Sequence, residues 1–185
     1  MSYAYTNLKE PKNTRSGVAE NILLAPVSWF TADGIKCPAA PFSLPGDEIT
    51  IKEDHVFKAG KGFLNFQLAP QKNSLSYATI GDLSLSRQNA ELKIFISGSY
   101  KEVHEAIKNL INTPLIVLIK DANCDENMYY QLGCDCSKAY LAASFTTGTT
   151  KDGVKGYEAT LTYDGGPQIY EGIVDQFEDA ESSSS

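Results

Sequence analysis

The sequence predicts a mainly β domain: a β-sandwich or partly closed antiparallel barrel with one flanking α-helix over about 99–112. Three observations carry this. Short alternating or uniformly apolar segments recur along the chain, turns bearing Gly, Pro or Asp separate them, and only one stretch has helical periodicity. The 185 residues, 42% of them hydrophobic, suit a single core that needs no metal or disulfide staple. The expected division is a polar arm over 1–20, one domain over 21–174, and a disordered acidic, Ser-rich tail over 175–185.

The elements follow in chain order. Asn21–Phe30 is an apolar patch broken by Pro26, with Trp29 and Phe30 just before the Asp33-Gly34 turn. Pro38, Pro41 and Pro45 favour an extended course up to Gly46. Glu48–Lys52 alternates as a strand with Ile49 and Ile51 inward. In Phe63–Leu68, Leu64, Phe66 and Leu68 share one face and Phe63 takes the other. Residues 70–90 read as a long polar loop with room for a short hairpin, alternating weakly at Leu75, Tyr77, Leu83 and Leu85. A poorly patterned insertion of that length is expected to be functional or interfacial. Leu92–Ile96 is the next strand.

Ser99 and Glu102 have the spacing of a capping box at the start of the helix. Val103, Ala106, Ile107, Leu110 and Ile111 form one apolar stripe, which Asn112 and Pro114 end. Pro114–Lys120 reads as a strand buried on both faces, with Tyr129–Leu132 as its partner. Ala139–Phe145, Tyr157–Tyr163 and Ile169–Val174 complete the strands, with a Gly/Thr/Asp tip over 146–156 and a turn at Asp164–Pro167.

Charge and chemistry narrow the function by exclusion. Sixteen Lys and Arg against 23 Asp and Glu leave −7, the wrong sign for a dedicated binder of phosphate backbones. No nucleophile elbow, phosphate loop or dinucleotide fingerprint is present. His55 and His104 both sit in bland contexts. No catalytic, cofactor-binding or metal-ligating residue is therefore assigned, and no cofactor is expected. The stretch Asp121–Glu126 lacks the glycine and terminal glutamate of a calcium loop. For Cys37, Cys124, Cys134 and Cys136, free and partly buried thiols are preferred. A Cys124–Cys134 disulfide and a three-sulfur zinc cluster closed by a histidine are the alternatives. The longest apolar run, Pro114–Ile119, is far shorter than a membrane span, so no membrane insertion is expected.

The second half has a distinctive order. A helix (SGSYKEVHEAIKNLINT) leads to a buried strand (PLIVLIKD) and then YYQLG. Thr147-Gly148-Thr149, Gly156-Tyr157-Glu158 and Tyr170-x-Gly172 mark the strands after it. Over roughly Leu92–Val174 this resembles the tail-tube (major tail) proteins and related virion ring proteins of tailed bacteriophages, particularly those of Bacteroidetes hosts. The resemblance implies a tail-tube-like sandwich that assembles as stacked, hexameric rings around a DNA channel. It also implies assembly in the host bacterial cytoplasm, residence in the virion tail, and other tail or neck proteins as partners.

Residues expected at contacts between subunits are the exposed-looking Leu23, Leu24, Trp29 and Phe30, with Leu75, Tyr77, Thr149 and Lys151. Glu48 and Glu158 are the candidate acids of the channel, past which DNA slides without tight binding. Terminator, neck and baseplate ring proteins share the architecture and stand as the nearest alternative. A β-sandwich module binding carbohydrate or a receptor through the tips at 121–127 and 146–156 is the next. A hydrolase with a site at Asp47–His55 is the weakest.

Overall fold

A computed structural model describes residues 16–82, 84–122, 128–149 and 153–178. Strand β1 (Val18–Pro26) enters a six-stranded sheet, and a single 3₁₀ turn, Val27–Trp29, follows it. After a Pro-rich flap come β2 (Thr50–Ile51) and β3 (Leu64–Gln67). Next, β4 (Ser74–Ile80) and β5 (Arg87–Ser97) form a hairpin in a second, four-stranded sheet. Helix α1 (Lys101–Leu110) returns the chain to the first sheet through β6 (Leu115–Asp121) and β7 (Tyr129–Leu132). Strands β8 (Tyr140–Thr146) and β9 (Gly156–Tyr163) complete the second sheet, and β10 (Gln168–Tyr170) rejoins the first.

The first sheet runs β2-β10-β7-β6-β1-β3, antiparallel except for the β10–β2 pair. The second runs β4-β5-β9-β8 and is antiparallel throughout. Bridges from Leu115 to Ala139 and from Ile111 to Leu141 tie one corner of the two sheets together. The result is a β-sandwich with one flanking helix.

Strand β6 shows why its sequence is apolar without a break. Leu115, Val117 and Ile119 face the second sheet, where they meet Leu92, Ile94 and Leu161 beneath Ile107 and Leu110 of α1. Ile116 and Leu118 face the other way, into a second core with Leu23, Phe30, Phe63 and Tyr170. With period 2, a strand between two cores has no polar side to show. The split expected in β3 also holds, with Leu64, Phe66 and Leu68 in the first core and Phe63 in the second.

Several expectations are corrected. Residues 70–90 are mostly strand: Leu75 and Tyr77 point into the core, while Ser74, Ser76 and Ala78 stand on a bare outer face. That face wants no apolar residues, so the alternation reads weakly in the sequence. Glu48–Lys52 is a 3₁₀ turn, Asp47–Ile49, followed by the two residues of β2, which leaves Ile51 buried and Ile49 exposed. The turn forms because the Asp47 carboxylate accepts the N–H groups of Ser43 and Leu44, each at 2.9 Å. The helix begins one residue later than a capping box at Ser99 requires; Tyr100 holds the cap position and no side chain caps it. β1 starts within the expected arm, and β10 ends at Tyr170, short of Val174. Residues 1–15 of the arm, Leu83, 123–127, 150–152 and the tail beyond 178 lie outside the described residues.

Candidate assembly surfaces

The four-stranded sheet buries one face and leaves the other without a covering helix. Its register defines that outer face. Ser76, Glu91, Thr162 and Tyr140 form one cross-strand row, and Ser74, Lys93, Thr160 and Ala142 form the next. Hydroxyl side chains dominate these rows, with Glu91, Lys93 and Tyr140 among them, and the next row, Phe95, Glu158 and Ser144, adds a large aromatic ring. Lys93 pairs with Glu91 at 2.9 Å and Arg87 with Asp164 at 2.9 Å, while the Lys72 ammonium lies over the Phe95 ring at 4.5 Å. Glu158 stands exposed on the same face, opposite the inward Ala159 and Leu161. Glu48 does not join it; it lies in the 3₁₀ turn beside the flap and on no strand.

The expected contact residues separate into four groups. Leu23 and Leu24 are buried within the chain itself because β1 is an inner strand between two cores, and Phe30, past the 3₁₀ turn, is buried in the second core. Leu75 and Tyr77 pack against the first core, and burial raises the Tyr77 hydroxyl pKa. Trp29 is half-buried, its ring 5.3 Å from Phe177 with the Lys61 ammonium over it at 4.8 Å. Thr149 is exposed at the β8–β9 tip, and Lys151 lies outside the described residues.

His55 is not the bland residue expected. It is buried and stacked on Tyr170, with ring centroids 4.6 Å apart. Its Nδ1 accepts the Lys36 N–H at 3.1 Å, so the neutral ring carries its proton on Nε2 and donates to Gln131 Oε1 at 2.9 Å. Gln131 Nε2 in turn donates to the carbonyls of Lys36 and Gly133. Burial, the largest influence, pushes the His55 pKa below its ordinary value. Both ring nitrogens and the whole Gln131 amide are hydrogen-bonded, so this network holds the flap to β7. The Asp47 carboxylate is tied to Lys52, Ser43 and Leu44, which lower its pKa to about 2.

His104 bonds the Tyr157 hydroxyl at 2.6 Å and meets Phe145 edge-on. The thiol expectation is corrected: Cys37 and Cys134 form a disulfide, their Cα atoms 5.7 Å apart, while Cys136 is free and exposed. Ninety-seven residues separate the bonded pair in sequence, so no local spacing marks it. Cys124 lies outside the described residues. Among the described residues no group of three His, Cys, Asp or Glu is placed to hold a metal, and no helix is long and apolar enough to cross a membrane.

Two further surfaces stand out, and of the expected residues only Trp29 lines either of them. The flap exposes Phe42 and Leu44, 46% and 65% accessible. Between β3 and α1 lie two depressions of about 580 and 670 Å³ that share Asn65, Phe66 and Ala106. Compared with known proteins, the chain matches no family model, no curated protein and no solved structure.

Proposed function

We propose that the chain is a structural, non-catalytic virion protein that assembles with copies of itself into rings, and that the rings stack into a phage tail tube conducting DNA. The observation that supports this best is the bare face of the four-stranded sheet. A broad sheet face rich in hydroxyl side chains, with Lys93 and Arg87 paired to carboxylates and Glu158 exposed, suits the wall of a channel. DNA held by many unpaired cations would release counterions and stick; a face of this chemistry lets it slide. The overall charge of −7 acts in the same direction. A ring of six and the virion tail as its location follow from the resemblance.

Negative-stain microscopy of the concentrated protein at moderate salt tests the reading. Rings or stacked tubes with a hole wide enough for duplex DNA are the expected result. Unstacked single rings would move the assignment to a terminator or neck protein. Small solid particles at every concentration would overturn it, and a glycan-binding screen would follow.

A further inference from the structure

The six-stranded sheet ends in two unlike edges. At one end is β3, paired with β1 on one side only. Leu68 donates its N–H to Glu20 on the β1 side, so the backbone groups of Asn65 and Gln67 point outward. On that outer side Phe63 is taken by Asp175 and Phe177, and Ala69 by Phe95. Among the described residues Asn65 and Gln67 have no strand partner there. The two depressions follow this open stretch, walled across from it by Val103, Ala106 and Leu110 of α1.

At the other end is β2, and the flap that leads into it carries Phe42 and Leu44. The flap is braced rather than loose. Asp47 holds the backbone of Ser43 and Leu44 and is clamped by Lys52, Thr50 bonds the Gly46 carbonyl, and the Cys37–Cys134 disulfide fixes the root. A loop so well held keeps two large apolar side chains in water, which favours a docking role for them.

We propose that Phe42 and Leu44 of one copy dock in the groove between β3 and α1 of the next copy, joining copies head to tail. This rests on the self-assembly reading and names its contact. Projection and groove stand on opposite edges of one sheet, five strand spacings or about 24 Å apart. Each copy thus offers one surface and accepts the other, the arrangement that produces rings when the rotation closes. The chain's own continuation past Phe177 is the nearest other occupant. It reads Glu178-Asp179-Ala180-Glu181 and would bring further carboxylates to a groove whose one charged lining residue is Glu102, where like charges repel, and whose apolar wall is Phe66, Val103, Ala106 and Leu110. A second copy's Phe and Leu match the groove's chemistry better.

Sedimentation of the full chain over a concentration series tests this with two variants, Phe42→Ser with Leu44→Ser, and Ala106→Arg. Thermal melts check that each folds; Asn109→Arg, at an exposed position on the same wall, replaces Ala106→Arg if that variant does not. Each variant alone is expected to stay monomeric, with self-association weakened by roughly thirtyfold or more. Mixed in equal amounts, they are expected to form a heterodimer and stop there, because one retains only the groove and the other only the projection. Assembly of either variant as in the unaltered chain, or a mixture with no heterodimer, overturns the pairing. Loss of assembly in the groove variant alone does so too, since the groove then takes a different segment. An unaltered chain that is monomeric throughout overturns the proposed function as well; rings that persist in both variants overturn only this contact.

Discussion

The two cores on either side of the six-stranded sheet are built by different means. Between the sheets, mostly aliphatic side chains from regular strands and α1 interlock, and the inner strands β5, β6 and β9 pair their backbones on both sides. Beyond the sheet, Phe30, Phe57, Phe63 and Tyr170 gather under a flap with almost no regular structure. There the backbone polar groups need other partners, and His55, Gln131 and the Tyr170 hydroxyl supply them. The disulfide adds a covalent tether. A sheet closes a core through its periodicity, whereas a flap closes one through individual polar contacts and a crosslink.

The largest effect is expected where the comparison is most one-sided. Leu92 is fully buried at the centre of the inter-sheet core. Leu92→Ala should cost about 2–5 kcal/mol in denaturant unfolding, through lost transfer energy and the cavity left behind. Both cores should melt together, because β1 and β6 belong to both. A cost below about 1 kcal/mol would mean that the sheets are not closely packed there.

Removing the crosslink should act unequally on the two cores. Cys37→Ser with Cys134→Ser should cost about 2–4 kcal/mol, as for a tether closing a long loop. Amide exchange should quicken first in the flap and at Ile51, while β5 and β9 keep their protection. Uniform quickening across both sheets would erase the distinction between the cores.

A smaller effect separates them by pH. His55 is buried neutral, with a folded pKa below its ordinary value of 6.5. The unfolded chain therefore takes up this proton first as pH falls, and the folded state loses stability from about pH 6.5 down to the depressed pKa. Above that window the group contributes no pH dependence, and below it the loss levels off. Within it the slope should stay below the one-proton limit of about 1.4 kcal/mol per pH unit. His55→Gln should flatten that part of the stability profile; an unchanged slope would place the acid sensitivity elsewhere.

The same division decides what could be read from the residues. β6, β7, β9 and the apolar stripe of α1 from Val103 to Leu110 were legible because their environments impose period 2, a double-sided apolar run or period 3.6 on the sequence, whereas Ile111, read as part of that stripe, lies past the helix and is exposed. β4 was not, since its outer positions Ser74, Ser76 and Ala78 match a bare face and resemble loop composition. The second core was not, because Cys37 with Cys134 and His55 with Gln131 meet across 97 and 76 residues with no spacing rule. Of the expected surface residues, Glu158 was legible from strand alternation. Phe42 and Leu44 were masked by the prolines beside them, which announce an extended segment and say nothing of exposure. The motif Tyr170-x-Gly172 has a packing reason visible only in three dimensions. A β-carbon at Gly172 would stand 2.6 Å from the Tyr170 hydroxyl, whose own bond to the Ile173 carbonyl closes the second core.

The smallest expected effect lies at the start of α1, where local pattern and observed geometry disagree by one residue. If Ser99 capped the helix, Ser99→Ala would cost about 0.5–2 kcal/mol. The cap position belongs to Tyr100, in extended conformation at φ −77° and ψ 156°, and no side chain bonds the free N–H groups of the first turn. Ser99→Ala should therefore stay within about 0.5 kcal/mol of the unaltered chain in thermal unfolding. Tyr100→Ser should raise stability by about 0.5–1 kcal/mol, because it places a hydroxyl where those groups can use it and removes an exposed ring. Helix α1 packs on the inter-sheet core alone, through Ile107 and Leu110, so the gain should slow exchange in α1 and leave the flap unchanged. A loss on Ser99→Ala with no gain on Tyr100→Ser would restore the capping box and move the start of the helix back by one residue.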